Sequence, residues 1–323
     1  MTRPRGGEHC ETTALDVLLR HEGVELSEPM LFGLGSGLSF IYWDGKGMDF
    51  PFLGGRVKPF ELTRALAARL GLELEVRETG SADRAWRNVA AELDAGRPVG
   101  LQLDSYHLEY FTSKVHFGGH MVAMVGYDAS DAQLVDTAQQ GGAVTTGLAS
   151  LAAARAERGP MTARHRSFTL ARRGGLPDVR AALAPALTDC AAAFLHPPIA
   201  NLGHRGIAKA ASLVPGWLAR ADQPGRQLPQ AARMMELAGT GGALFRNLYR
   251  DFLGECAGLL DDARVRTARD RYAEAAAGWT VVAELVAEAG ESGEAEPLRR
   301  AGRLLEDLAR IEREAMERLA ALG

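Results

Sequence analysis

At Pro177 the chain changes character, and that change constrains the fold more than any single motif. From there to the end, Ala, Leu, Arg and Glu recur at helical spacing, broken at Pro197-Pro198, Pro215-Gly216, Pro224-Gly225 and Gly239-Thr240-Gly241-Gly242. Such a pattern supports helices and no sheet. Before Pro177, helical and strand patterns alternate. The expected fold is therefore α+β with an antiparallel sheet over residues 1–175, followed by an all-α domain over residues 176–323, the boundary falling at Gly174-Gly175. With 323 residues, 46% of them hydrophobic and 24% charged, the chain can fill two medium cores, and disorder as its main state is excluded. Glu296 to Leu322 reads as one amphipathic helix with opposite charges three and four apart. Its apolar stripe can pack within the subunit or against a second copy, so a homodimer is open.

In the first part, Glu11 to Leu19 has the apolar spacing of a helix ending near Gly23, which puts Cys10 at its first turn. Leu31 to Gly55, rich in glycine and aromatics, reads as loops with one short strand at Phe40–Tyr42. A helix over Pro59–Leu70, a strand over Glu73–Arg77, a helix over Asp83–Ala95 and a strand over Val99–Leu103 follow. The strongest strand signals, His120–Tyr127 and Gln133–Asp136, flank the turn-forming Asp128-Ala129-Ser130-Asp131 and predict a hairpin. A helix at Leu148–Glu157 and an alternating segment Arg164–Leu170, expected to close the sheet, complete this part.

The 37 basic and 41 acidic residues leave a net charge of −4, which argues against a nucleic-acid partner. No apolar run is long enough to span a bilayer and the first residues lack a secretory core, so no membrane association and a cytoplasmic location are expected. Basic residues divide into 33 Arg and 4 Lys, which with the abundant Ala and Gly points to a GC-rich bacterial genome. Three cysteines, at 10, 190 and 256, are too few and too scattered for a disulfide framework. Cys190 and Cys256 sit mid-helix among apolar residues, as packing thiols do. His107, His116 and His120 are close in sequence, but with His120 assigned to Cys10 too few ligands converge, so no metal is expected.

A thiol gains nucleophilicity from a helix N-terminus and a nearby imidazole, and Cys10 has that setting directly after His9. The base should be a histidine on rigid backbone: His120 opens an apolar strand after Gly118-Gly119. Across the predicted hairpin its neighbour is Asp136, able to orient the ring, so Cys10, His120 and Asp136 form a candidate triad. Taken singly, a histidine at a strand start can be structural and an aspartate at a strand end a turn former. Asp104, Tyr106, Glu109 and Tyr110, gathered with His107 after a strand, are either a binding site for a cationic amine or a polar surface loop.

These residues carry a resemblance. Cys10 at a helix start, His120-Met121-Val122-Ala123-Met124-Val125-Gly126-Tyr127-Asp128 and Val135-Asp136-Thr137-Ala138 look like the papain-like fold of bacteriocin-processing cysteine peptidases. More closely, His9 to Leu15, Asp104 to Tyr110, Gly119 to Asp128, Asn201 to Ile207 and Gly241 to Leu253 resemble the BtrH-like acyltransferase family over nearly the whole chain.

The resemblance implies transfer of an acyl or aminoacyl group from the phosphopantetheine thioester of an acyl or peptidyl carrier protein to a small-molecule amine, in natural-product biosynthesis. Cys10 would attack the thioester, His120 would shuttle the proton and Asp136 would orient His120; no bound cofactor is implied. Arg205, Arg246 and Arg250 could meet the acidic carrier protein or the phosphate of its arm, or simply lie on solvated faces. Papain-like enzymes usually hold a Gln about six residues before the cysteine as oxyanion donor; here that position is Pro4. The oxyanion would then need the Cys10 N–H and a further donor, such as backbone of Gly33–Gly37 or Gly54–Gly55. Two other readings stand beside this one: a cysteine peptidase or amidase on the same fold, and a non-catalytic scaffold protein with an inert Cys10.

Overall fold

The computed structural model describes residues 6–46, 48–238 and 240–323. In chain order, α1 (Cys10–His21), α2 (Glu28–Leu34), β1 (Leu38–Trp43), β2 (Phe52–Arg56), α3 (Glu61–Arg69) and β3 (Glu73–Arg77) come first. They are followed by α4 (Ala82–Asp94), β4 (Val99–Leu103), β5 (His120–Tyr127), β6 (Asp131–Val135), β7 (Ala143–Gly147), α5 (Leu148–Ala156) and β8 (Ser167–Ala171). The remainder is helical: α6 (Val179–Leu195), α7 (Gly203–Leu213), α8 (Trp217–Arg220), α9 (Pro224–Leu237), α10 (Ala243–Leu260), α11 (Ala263–Ser292) and α12 (Glu296–Ala320). The fold is α+β with antiparallel sheets and a helical C-terminal region. No helix among the described residues is long and apolar enough to cross a membrane.

Two compact units form, one from the described residues up to Leu31 with Lys58–Asp178, the other from Phe32–Val57 with Val179–Gly323. The second begins close to the expected boundary but also takes residues 32–57, which the sequence reading gave to the first part as loops with one short strand at Phe40–Tyr42. They fold as the antiparallel hairpin β1–β2. Leu38, Phe40 and Tyr42 alternate along β1 and are buried. Phe40 lies against Trp279 at 5.5 Å between ring centroids. Tyr42 accepts from Trp217 Nε1 at 3.4 Å and donates its N–H to Asn201 O at 2.9 Å. The apolar surface that this hairpin needs comes from helices more than 150 residues away, so local glycine content concealed it.

The sheet of the first unit has the order β3-β8-β4-β5-β6-β7, every neighbouring pair antiparallel. β8 does not close the sheet at an edge; it lies between β3 and β4. Gly100 on β4 makes room for it, because a Cβ there would stand 2.2 Å from the Phe168 ring opposite. β5 is covered on both faces: Val122 and Met124 join Val99, Leu101, Leu103, Leu134, Val89 and Leu151 in one core, and α1 also packs against this strand. Burial on two sides explains why Met121 to Met124 is an unbroken apolar run and not an alternating one, whereas Val125, next along the strand, is exposed. The β5–β6 turn is set by Asp128, whose Oδ1 accepts from the N–H groups of Ser130 and Asp131 at 2.9 Å each. β6 starts at Asp131 and ends at Val135, so Asp136 lies one residue past the strand instead of within it.

In the second unit α12 has a long buried stripe through Leu298, Leu305, Leu308, Ile311 and Met316, covered within the chain by α6, α7 and α11. Arg246 is a correction to the surface reading: it is fully buried, its Nε and Nη2 donating to the two oxygens of Glu312 at 3.0 and 3.1 Å. Trp279 Nε1 donates to the same carboxylate at 2.6 Å. A guanidinium so enclosed offers no face to a carrier protein. Cys190 and Cys256 are buried, and burial pushes the Cys256 thiol up to about 12, which suits inert packing.

Candidate active site

Cys10 is the first residue of α1, where the N–H groups of the opening turn have no carbonyl behind them within the helix and the dipole presents its positive end. The segment leading to it is held by side chains at some distance in sequence. Glu28 accepts from the backbone N–H of Glu8 and His9, the latter at 2.8 Å, and from Thr12 Oγ1 at 2.8 Å. Glu11, fully buried, accepts from Thr63 N–H, Thr63 Oγ1 and Phe60 N–H, joining the start of α1 to the start of α3. Sequence reasoning missed both carboxylates; an acidic residue in a first turn was visible, but its partners, 49 and 52 positions on, were not.

The same segment is threaded against the acidic end of the site. Ala138 donates its N–H to Gly7 O at 2.8 Å. Gly6 has φ +68°, and a Cβ on it would lie 2.4 Å from Asp136 O, so only glycine fits this approach. Cys10 and Asp136 are thereby fixed through main chain as well as through side chains.

His120, the first residue of β5 and only 5% exposed, donates through Nε2 to Asp136 Oδ2 at 2.8 Å. The Cys10 side chain lies close enough to the same ring to raise its pKa. Asp136 is wholly buried; Thr137 N–H donates to its Oδ1 at 2.7 Å, and Tyr110 OH donates to its Oδ2 at 2.8 Å. Burial by itself would lower the His120 pKa, but the Asp136 carboxylate and then Cys10 outweigh it and raise it to about 10. Asp136 shows the reciprocal balance: burial favours protonation, yet His120, the Thr137 N–H and the Tyr110 hydroxyl hold its pKa below the usual carboxylate value. Burial and the Asp136 charge keep the Tyr110 hydroxyl protonated, hence a donor. A protonated imidazole beside a thiol and bonded to a buried carboxylate can stabilise a thiolate, hand a proton to a leaving group and take one back.

Of the four residues proposed for an amine substrate, the fold brings one to this centre. Tyr110 is there, though as a partner of Asp136. Asp104, 3% exposed, organises its own loop, its Oδ1 accepting from Tyr106 and Phe117 N–H at 2.9 and 3.1 Å. Glu109 is exposed and accepts from Gly147 N–H at 2.9 Å. Tyr106 is 37% exposed and stacks on His116 at 4.0 Å. In the second unit Arg205 is exposed, while Arg250 is paired with Asp251 at 2.8 Å and with Asn247 at 2.6 Å. Pro4 lies outside the described residues, and Gly33–Gly37 and Gly54–Gly55 belong to the second unit.

A family model described as Butirosin biosynthesis protein H, N-terminal, matches residues 9–137, a span that contains Cys10, His120 and Asp136. A second, a domain of unknown function (DUF4872), matches residues 149–319. Among solved structures, a C39-like peptidase from Bacillus anthracis is similar over 52% of this chain and 90% of its own, with 16% identity and a TM-score of 0.38. No curated protein matches the chain.

Proposed function

This chain belongs to the DUF4872 family, whose model spans over half of its length, and its residues 9–137 match the N-terminal model of Butirosin biosynthesis protein H; we propose that it transfers an acyl or aminoacyl group from a carrier-protein thioester to an amine through an acyl-Cys10 intermediate. The observation that carries the reading is His120 bonded to Asp136 with Cys10 close enough to act on the same ring. The thiolate attacks the thioester carbonyl, the bond from carbon to pantetheine sulfur breaks, and His120 gives its proton to the departing thiolate. The amine then attacks the acyl-Cys10 carbonyl, neutral His120 takes the amine proton, the bond from carbon to Cys10 sulfur breaks, and the thiolate–imidazolium pair returns. Tyr110 and Thr137 N–H hold Asp136 ionised and in place throughout. The phosphopantetheine arm belongs to the donor, an acyl or peptidyl carrier protein, and the family name of the N-terminal match supports a role in natural-product biosynthesis. Exposed Arg205 is the arginine best disposed to meet an acidic carrier.

Intact-protein mass spectrometry after mixing with acyl-loaded carrier protein tests this. A mass gain on wild type, absent from Cys10→Ala and discharged only when a polyamine is added, is expected. A gain that decays equally fast in water would make the chain a hydrolase, and no gain with any carrier would remove the acyl-Cys10 reading.

A further inference from the structure

We propose that His107, His116 and Glu157 form a binding site for a zinc-type divalent cation, separate from the Cys10 centre. The three residues come from distinct segments of the first unit: a short turn at Ser105–His107, the stretch before β5, and the residue that ends α5. Each offers one ligand atom, and all three atoms lie within 4.8 Å of one another. Ligands at about 2.1 Å from a tetrahedral zinc sit about 3.4 Å apart, so small side-chain adjustments close the set. Two imidazole nitrogens and one carboxylate oxygen are a donor set that suits zinc, with the fourth position left to water.

The surroundings orient these ligands. His116 Nδ1 is 3.3 Å from Oδ2 of the buried Asp104, which leaves Nε2 for the cation, and Asp104 is itself fixed by two backbone N–H groups. A carboxylate bonded to the far nitrogen of a histidine is the arrangement that fixes tautomer and ring direction at metal centres. Tyr106 stacks on the other side of the problem, packing its ring on that of His116. Glu157 has Oε1 engaged by Arg158 N–H at 3.0 Å, so Oε2, which meets His107 Nε2 at 2.6 Å, is the oxygen turned to the other two ligands, and a cation would replace the proton between these two atoms. Ser150 Oγ donates to His107 O at 2.6 Å and holds that backbone in place. A plain His107–Glu157 ion pair accounts for two of these residues but not for His116 held beside them by a buried carboxylate. The sequence reading counted only the nearby histidines and expected no metal; Glu157, fifty residues from His107, was the missing ligand.

The test uses the full-length Cys10→Ala protein, in which the thiol–imidazole pair cannot compete for metal, stripped with a chelator. Zn²⁺ is titrated by calorimetry and Co²⁺ by absorption. Expected are one equivalent bound and tetrahedral cobalt bands without a sulfur-to-cobalt band. Adding His116→Ala or Glu157→Gln should weaken binding about a hundredfold or more, and Asp104→Asn about 10- to 100-fold, in line with losses at comparable sites. Circular dichroism of the metal-free His116→Ala protein, altered at an exposed side chain, should match its parent. No uptake by the Cys10→Ala protein, or uptake that His116→Ala and Glu157→Gln leave undiminished, would overturn the proposal.

Discussion

Tyr110 and His120 converge on one atom: both lie 2.8 Å from Oδ2 of Asp136, one through a phenolic hydroxyl and the other through Nε2. The carboxylate that orients the histidine is thus itself oriented by a neutral donor from a different loop. Replacing Tyr110 by Phe removes that donor while keeping the ring. A hydrogen bond to a charged group contributes about 1.5–3 kcal/mol, so acyl-Cys10 formation should slow about tenfold or more, measured in single-turnover assays. An unchanged rate would show that Asp136 needs no help from Tyr110.

The His120 titration should respond to its two partners in order. Asp136 raises its pKa more than Cys10 does. NMR of the imidazole should therefore give a value near 10 in wild type, a lower one in Cys10→Ala and the lowest in Asp136→Asn. Its folded pKa is raised, so the stability it contributes is fully present below about 6.5 and is lost as pH rises through about 10. Chemical denaturation across that window should show wild type losing stability that His120→Ala never had, and acylation should decline as pH passes about 10.

Glu11 is one position from Cys10 and yet has a structural task. Its buried carboxylate accepts three hydrogen bonds from Phe60 and Thr63. Glu11→Ala should destabilise the protein by about 3 kcal/mol, since three buried donors lose their partner. Glu11→Gln, which keeps one acceptor oxygen, should cost about half as much. Thermal or denaturant unfolding of the two variants gives the comparison; equal stability of all three proteins would be inconsistent with this role.

In the helical unit Arg246→Ala should cost about 3–5 kcal/mol, because it leaves Glu312 charged, buried and without its guanidinium. Arg205→Ala, at an exposed position, should leave stability within about 0.5 kcal/mol and weaken carrier-protein binding. Unfolding curves and carrier titrations of the pair separate the structural arginine from the one proposed to dock the carrier.

What the sequence disclosed follows the range of the forces involved. The β5–β6 hairpin, the placement of Cys10 at a helix start and the switch to helices after Pro177 are local patterns, and all were legible. Asp136 was identified with its strand drawn one residue too long, an error that leaves its role intact. Of the β1–β2 hairpin only the short strand at Phe40–Tyr42 was read, the rest being taken as loops, because its glycines are local while its core partners are remote. β7 gave no signal: Ala143–Gly147 is short, half exposed and runs straight into α5. Tyr110 was singled out, but for a substrate, because nothing local shows that its hydroxyl ends on Asp136. Glu28 and Glu157 were invisible for the same reason, their partners lying 16 to 50 residues away.

The main-chain bond from Ala138 to Gly7 has a consequence for the order of events during synthesis. Cys10 leaves the ribosome long before His120 and Asp136, and the strands that carry them must pair before the early segment has anything to lie against. Contacts of such long sequence separation form late because the loop must close first. The nascent thiol therefore has neither the His120 ring nor the Asp136 carboxylate near it, and the pair assembles only when the surrounding unit is nearly complete.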